Sequence, residues 1–256
     1  MFGNNTSRNK ASLSVIFVTV FVDLMGFGIL IPLLPTFASK QLDINDFGIG
    51  IIVAIYSFIQ FLFNPIFGKI SDRIGRRPII LISLLCTVIS YIMFSFAASF
   101  LVLFLSRLIA GFGGSNIGVA QAYIADVTTK EERSKGMGII GAAFGLGFVF
   151  GPFIGGLLSR YGYAVAGFGS AAFSFTAFLF AYFFLPESIK EKKTDTKIKF
   201  RLFDLKFARE IITHPTVGVL MVLFFIIVFS MANIYGTFSI LGYKIYGFSD
   251  AQNGYM

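Results

Sequence analysis

Gly68-Lys69-Ile70-Ser71-Asp72-Arg73-Ile74-Gly75-Arg76-Arg77 places five charges and two glycines between two apolar runs, Phe47 to Gly68 and Pro78 to Ala98. Each run reaches the roughly 20 residues of helix that cross a bilayer, so the decapeptide reads as a short basic loop between two membrane helices. Outward from it lie five more such runs: Leu13 to Ala38, Phe100 to Ala125, Gly136 to Ser159, Tyr161 to Leu185 and Pro215 to Tyr243. The seven together hold about two thirds of the 256 residues. Composition agrees, with 56% hydrophobic and 13% charged residues and a mean hydropathy of +0.81, against roughly 45–50% apolar in soluble domains. Only helices and closed barrels satisfy every backbone group in lipid, and these continuous runs lack the alternation of barrel strands. The fold class is therefore an all-α membrane protein.

A net charge of +8 would suggest a nucleic-acid partner in a soluble protein; here it is a signal of sidedness. With the N-terminus in the cytoplasm, the inner segments carry seventeen Lys and Arg and the outer ones three, Lys40, Arg160 and Lys244, while Arg107 lies inside the fourth span. This asymmetry predicts a multi-pass protein of the cell's inner (cytoplasmic) membrane with a cytoplasmic N-terminus. The first run is longer than a signal peptide's apolar region and is interrupted by Asp23, Pro32 and Pro35, so it reads as a retained helix. Cys86 is the single cysteine, which leaves no intrachain disulfide. Residues 186–214 are rich in Lys, Glu, Asp and Thr and form a cytoplasmic connection, dividing a six-helix bundle over 1–185 from a seventh helix and outer loop over 215–256. The lysines fit a positive-inside anchor or, alternatively, contact with anionic lipid. Asp250-Ala251-Gln252-Asn253-Gly254 repeats the Asp-x-x-x-Gly spacing of Asp46-Phe47-Gly48-Ile49-Gly50. A second six-helix half therefore starts again here, and the chain reads as a truncated form of a two-half transporter.

The loop Gly68 to Arg77 resembles, without a mismatch, the signature loop Gly-x-x-x-Asp-Arg-x-Gly-Arg-Arg of the major facilitator superfamily. Gly68 is expected to allow close helix approach and Gly75 a tight turn, while Asp72 with Arg73, Arg76 and Arg77 forms a breakable charge network. Asp126, at the cytoplasmic end of the fourth span, is its expected partner. In the fifth span Gly147, Gly151, Pro152, Gly155 and Gly156, with Gly138 upstream, resemble the antiporter motif of drug efflux members. Glycines at i, i+4 and i+8 make a smooth face, and Pro152 removes a backbone donor; packing alone is the alternative role.

Asp23-Leu24-Met25-Gly26-Phe27-Gly28-Ile29-Leu30-Ile31-Pro32 in the first span resembles the twelve-helix drug/proton antiporters, including tetracycline exporters. Tyr123-Ile124-Ala125-Asp126 and Leu185-Pro186-Glu187-Ser188 look like the same branch. In the fourth span Arg107 leads a face of Gly111, Gly114, Gly118, Gln121 and Ala125, and resembles the fourth-helix motif whose arginine is linked to proton coupling, with Ala110 where glutamine is frequent. Asp23 and Arg107 are expected at depths within about 5 Å of each other. An intramembrane carboxylate whose surroundings alternate can load and release a proton, so Asp23 and Arg107 are the proton-coupling candidates; a static hydrogen-bonded anchor is the alternative for Asp23. One departure is Ser90 before Tyr91, where the resemblance would have an acidic residue. Candidate cavity residues are Gln60, Asn64, Ser115, Asn116, Gln121 and Asn233. The 34 phenylalanines suit lipid contact or a stacking pocket.

The resemblance implies a proton-coupled antiporter exporting small amphipathic drugs, tetracycline-like or broader, by alternating access. The proton is the coupling ion; no other cofactor, no metal and no nucleic acid are expected, and the complete protein would be monomeric in the lipid bilayer. A proton-coupled nutrient or metabolite permease and an inactive truncated remnant are the alternatives. An enzyme finds no support in the sequence, which has no His-rich metal cluster and no Gly-x-x-x-x-Gly-Lys loop.

Overall fold

The computed structural model describes residues 3–189 and 212–255, and among them every regular element is helical. The elements are α1 (Gly3–Leu30), α2 (Leu33–Leu42), α3 (Asp46–Ile74), α4 (Arg76–Ser95), α5 (Phe100–Gly114), α6 (Asn116–Val127), α7 (Arg133–Ser159), α8 (Tyr163–Phe184), α9 (Pro215–Lys244) and α10 (Asp250–Tyr255). Seven spans are long and apolar enough to cross a membrane, and they coincide with the seven runs read from the sequence. Most of the expected connection, residues 190–211, lies outside the described residues.

Two spans differ from the single helices expected. The first breaks between α1 and α2 at Ile31-Pro32, where proline disfavours helical backbone in the residue before it. The fourth breaks at Ser115, between α5 and α6. Side-chain caps fix the starts of α3, α5 and α9: the Asn45 side chain accepts from the Gly48 N–H at 2.9 Å, Ser99 from Val102 at 3.4 Å, and His214 Nδ1 from Val217 at 3.4 Å.

Packing produces two apolar clusters stacked along the bundle. One gathers Ile16, Val20 and Leu24 of α1 with Ile80 and Leu84 of α4 and Ala177 and Ala181 of α8. The other gathers Ile29 and Leu30 of α1, Leu33 of α2, Tyr91 and Phe94 of α4 and Ala166 of α8. The same helices carry buried Asp23, Ser90 and Ser174 at the level between the two. At the end opposite the Gly68–Arg77 loop, α9 and α10 join the rest through Lys244 to Asp46 at 2.6 Å and Lys40 to Asp250 at 3.4 Å. Tyr163 donates to Asp250 there at 2.6 Å. The apolar side chains of α9 from Val219 to Phe229 are exposed, as are Phe183 and Phe184, surfaces that suit lipid better than water.

Candidate functional site

Asp23 sits on α1 three residues before Gly26, whose missing side chain lets α8 come close. A Cβ on Gly26 would stand 2.9 Å from the Ser170 carbonyl and 3.3 Å from the Tyr91 ring. α8 brings Ser174 Oγ to Asp23 Oδ1 at 2.7 Å, and the start of α6 brings Asn116 Nδ2 to Oδ2 at 3.1 Å. Asp23 is only 9% exposed, and each carboxylate oxygen has one donor, as burial of such a group demands. Asn116 was among the cavity candidates; Ser174 was not, although Ser170 and Ser174 form an i, i+4 pair in an otherwise apolar span.

Arg107 is 3% exposed, and its Nε and Nη2 have no hydrogen-bond partner. It does not pair with Asp23: the ion pairs among the described residues leave it out. Its guanidinium carbon instead lies 6.0 Å from the Tyr91 ring and 5.9 Å from the Phe94 ring. It lines a cavity of about 200 Å³ with Phe27, Ile52, Tyr56, Phe148 and Ala232. Phe27 stacks on Tyr56 at 5.1 Å and meets Phe148 edge-on at 6.2 Å, so some of the phenylalanines do face a pocket.

The glycine face beyond Arg107 packs on α3. A Cβ on Gly111 would meet Ile59 Cβ and the Tyr56 carbonyl at 2.7 Å, and those on Gly114 and Gly118 would overlap Tyr56 Oη and Asn64 Oδ1. Gln60 accordingly donates to the Gly114 carbonyl at 2.7 Å, and Asn64 is inserted against Gly118 with its buried Oδ1 unpartnered. Ser115 donates to the Gly111 carbonyl at 3.0 Å and Asn233 to the Phe229 carbonyl at 2.8 Å, each back onto its own span. Gln121 is exposed. None of these six candidates lines the Arg107 cavity.

The basic loop is organised by one arginine. Arg76 Nη2 reaches Asp72 at 2.6 Å, Nε reaches Asp126 at 3.0 Å, and Nη1 donates to Ser71 Oγ at 2.6 Å and to the Gly68 carbonyl at 3.3 Å. Gly68 acts as that acceptor; space beside it is open, so it does not serve the close approach expected of it. Gly75 has φ +115°, a backbone conformation that favours glycine, and makes the turn. Glu187 caps the start of α4, accepting from the Arg76 N–H at 2.9 Å and the Arg77 N–H at 3.3 Å. Arg77 donates to the Tyr182 carbonyl at 2.5 Å, and Ser188 to Asp126 at 3.0 Å. Arg73 makes no ion pair with a described residue. The motif Leu185-Pro186-Glu187-Ser188 thus closes the loop, a role its sequence did not announce.

The fifth-span glycines form the seam between α1 and α7. A Cβ on Gly147 would stand 2.8 Å from Leu24 Cβ, on Gly151 2.6 Å from Gly28 Cα, and on Gly155 2.5 Å from the Ile29 carbonyl. Gly156 faces α10 instead, with Ala251 O 3.0 Å from its Cβ position. Pro152 lies within α7, which runs unbroken past it. Gly138 faces open space and takes no part in the seam. Among the described residues, no group of three His, Cys, Asp or Glu is placed to hold a metal ion.

A family model described as Major Facilitator Superfamily matches residues 16–256. The chain belongs to the major facilitator superfamily. It is 37% identical over 215 residues to an Escherichia coli protein named tetracycline resistance protein, class E, an alignment covering 82% of this chain and 52% of that protein. It is 29% identical over 249 residues to multidrug resistance protein 2 of Bacillus subtilis (strain 168), covering 95% and 61%. In structure it is similar to the human organic anion transporter MFSD10, with a TM-score of 0.74, 27% identity, and coverage of 96% of this chain and 68% of that one. The chain spans about half the length of the tetracycline resistance proteins it matches. Superfamily membership and the seven apolar helices make it a multi-pass membrane protein.

Proposed function

We infer that the protein exchanges protons for a small amphipathic compound by alternating access, carrying the compound out across the inner membrane with its N-terminus in the cytoplasm. The observation that carries this reading is Asp23, a carboxylate buried between two apolar clusters and held by neutral hydroxyl and amide donors on α8 and α6. Asp23 is the group that loads and unloads the proton, and a hydroxyl and an amide can serve it in either protonation state. Arg107 contributes a fixed positive charge in the neighbouring cavity, beside Tyr91. The Arg76 network holds α3, α4 and α6 together at one end and is the latch that must loosen when the bundle rocks. The relatives named for tetracycline and multidrug resistance support export, as does the α1–α7 glycine seam.

Inverted membrane vesicles acidified inside test this directly. Addition of tetracycline is expected to collapse the gradient by outward proton movement, and Asp23→Asn is expected to abolish that response. Protons moving in the same direction as the compound would mark a permease; an unaltered response in Asp23→Asn would remove Asp23 from the coupling.

A further inference from the structure

We propose that Arg107 is the docking point for the anionic group of the transported compound, so that the cavity selects amphipathic organic acids over neutral or cationic analogues. The inference rests on the transport reading above and names the chemistry of its cargo. A guanidinium at this depth is costly to bury and is ordinarily met by a carboxylate. Arg107 has no such partner among the described residues: Nε and Nη2 are unsatisfied, and Asp23 is already engaged by Ser174 and Asn116. The rings of Tyr91 and Phe94 near its guanidinium carbon stabilise the cation without accepting its N–H groups. The unsatisfied cation lines an open volume of about 200 Å³.

The remaining walls define the rest of the ligand. Phe27, Ile31, Ile52 and Phe148 are apolar, with the Tyr56 and Ser57 hydroxyls the other polar side-chain groups lining the space. A ring-bearing apolar body with one acidic end matches a cavity that is mostly apolar, with three aromatic rings in its wall, and positive at one point, since a guanidinium fork binds carboxylate through two parallel hydrogen bonds. A cation in the same place would lie unscreened beside Arg107.

Three probes of nearly equal size decide the matter: naphthalene-1-carboxylate, naphthalene-1-carboxamide and naphthalen-1-ylmethylammonium, each measured by equilibrium binding to the purified full-length protein at neutral pH. The carboxylate is expected to bind about tenfold or more tighter than the amide, and the ammonium weakest. Arg107→Gln should reduce the carboxylate to the amide's level, and Arg107→Lys, a point charge without the fork, should fall between. Equal binding of all three, no binding of the carboxylate, or undiminished carboxylate binding in Arg107→Gln overturns the proposal. The wild-type ranking decides even where Arg107→Gln fails to fold. Asp23→Asn separates the two readings, because it should keep the carboxylate preference while losing proton movement. Carboxylate selectivity in a wild-type protein that moves no protons would contradict the antiport reading and leave this one supported.

Discussion

Replacing Gly151 by alanine adds one methyl group at the middle of the α1–α7 seam, where it faces backbone carbon. Its Cβ would stand 2.6 Å from Gly28 Cα, 2.8 Å from the Gly28 carbonyl carbon and 3.1 Å from the Ile29 nitrogen, all backbone atoms that cannot rotate away. Carbon atoms ordinarily meet at about 3.5–4.0 Å, so the helices must part by about 1 Å here and loosen the contacts at Gly147 and Gly155. Overpacking of this kind costs about 1–3 kcal/mol. Alanine also favours helix over glycine by about 1 kcal/mol, a gain that would mask part of the effect. Gly138→Ala, in the same helix and facing open space, receives the same gain without the clash. The difference between the two variants therefore isolates the packing term at about 1–3 kcal/mol, a factor of roughly 5 to 150 in the unfolding equilibrium. Denaturant unfolding of the purified protein, followed by a thiol dye on Cys86, the chain's single cysteine, measures both. Equal stability of Gly151→Ala and Gly138→Ala would refute the seam.

Three further outcomes concern the two rims. Glu187→Ala leaves the Arg76 and Arg77 N–H groups without their acceptor and should cost about 1 kcal/mol in the same unfolding assay; an unchanged midpoint would deny the cap. Asp126→Asn removes the anion facing Arg76 Nε and should speed maleimide labelling of a Gly68→Cys reporter several-fold in a Cys86→Ser background; an unchanged rate would mean that the network does not close this end. Asp46→Asn breaks the Lys244 pair, whose side chains are 68% and 44% exposed, so screening should hold the loss below about 1 kcal/mol. A larger loss would show that this rim carries real stability.

The helices were legible because lipid demands long apolar runs, and each run became a span. Breaks within runs were less so. Pro32 signals the α1–α2 junction, but Ser115 lies in a Gly-Gly-Ser-Asn stretch that composition alone does not distinguish from flexible packing. Asp23, Arg107 and Asp126 stood out as charges in or at the edge of apolar spans, and Gly147, Gly151 and Gly155 through their spacing. Ser174 did not stand out, and Glu187 did so only within a motif of unstated role, because a hydroxyl in an apolar span and an acid in a polar segment acquire roles only when another helix arrives. Gly68 and Gly138 show the converse: a motif position says that a residue is small and leaves open what it touches. That Asp23 and Arg107 form no ion pair also escaped depth arithmetic, which places residues along the membrane normal and not toward one another.

The central claim is that Asp23 couples compound movement to protons. The most direct measurement compares tetracycline exchange at equal pH with tetracycline accumulation driven by a pH gradient, in vesicles reconstituted with full-length wild type and Asp23→Asn. The account predicts that the variant keeps exchange and loses all response to the gradient. Gradient-driven accumulation that persists in Asp23→Asn would contradict it.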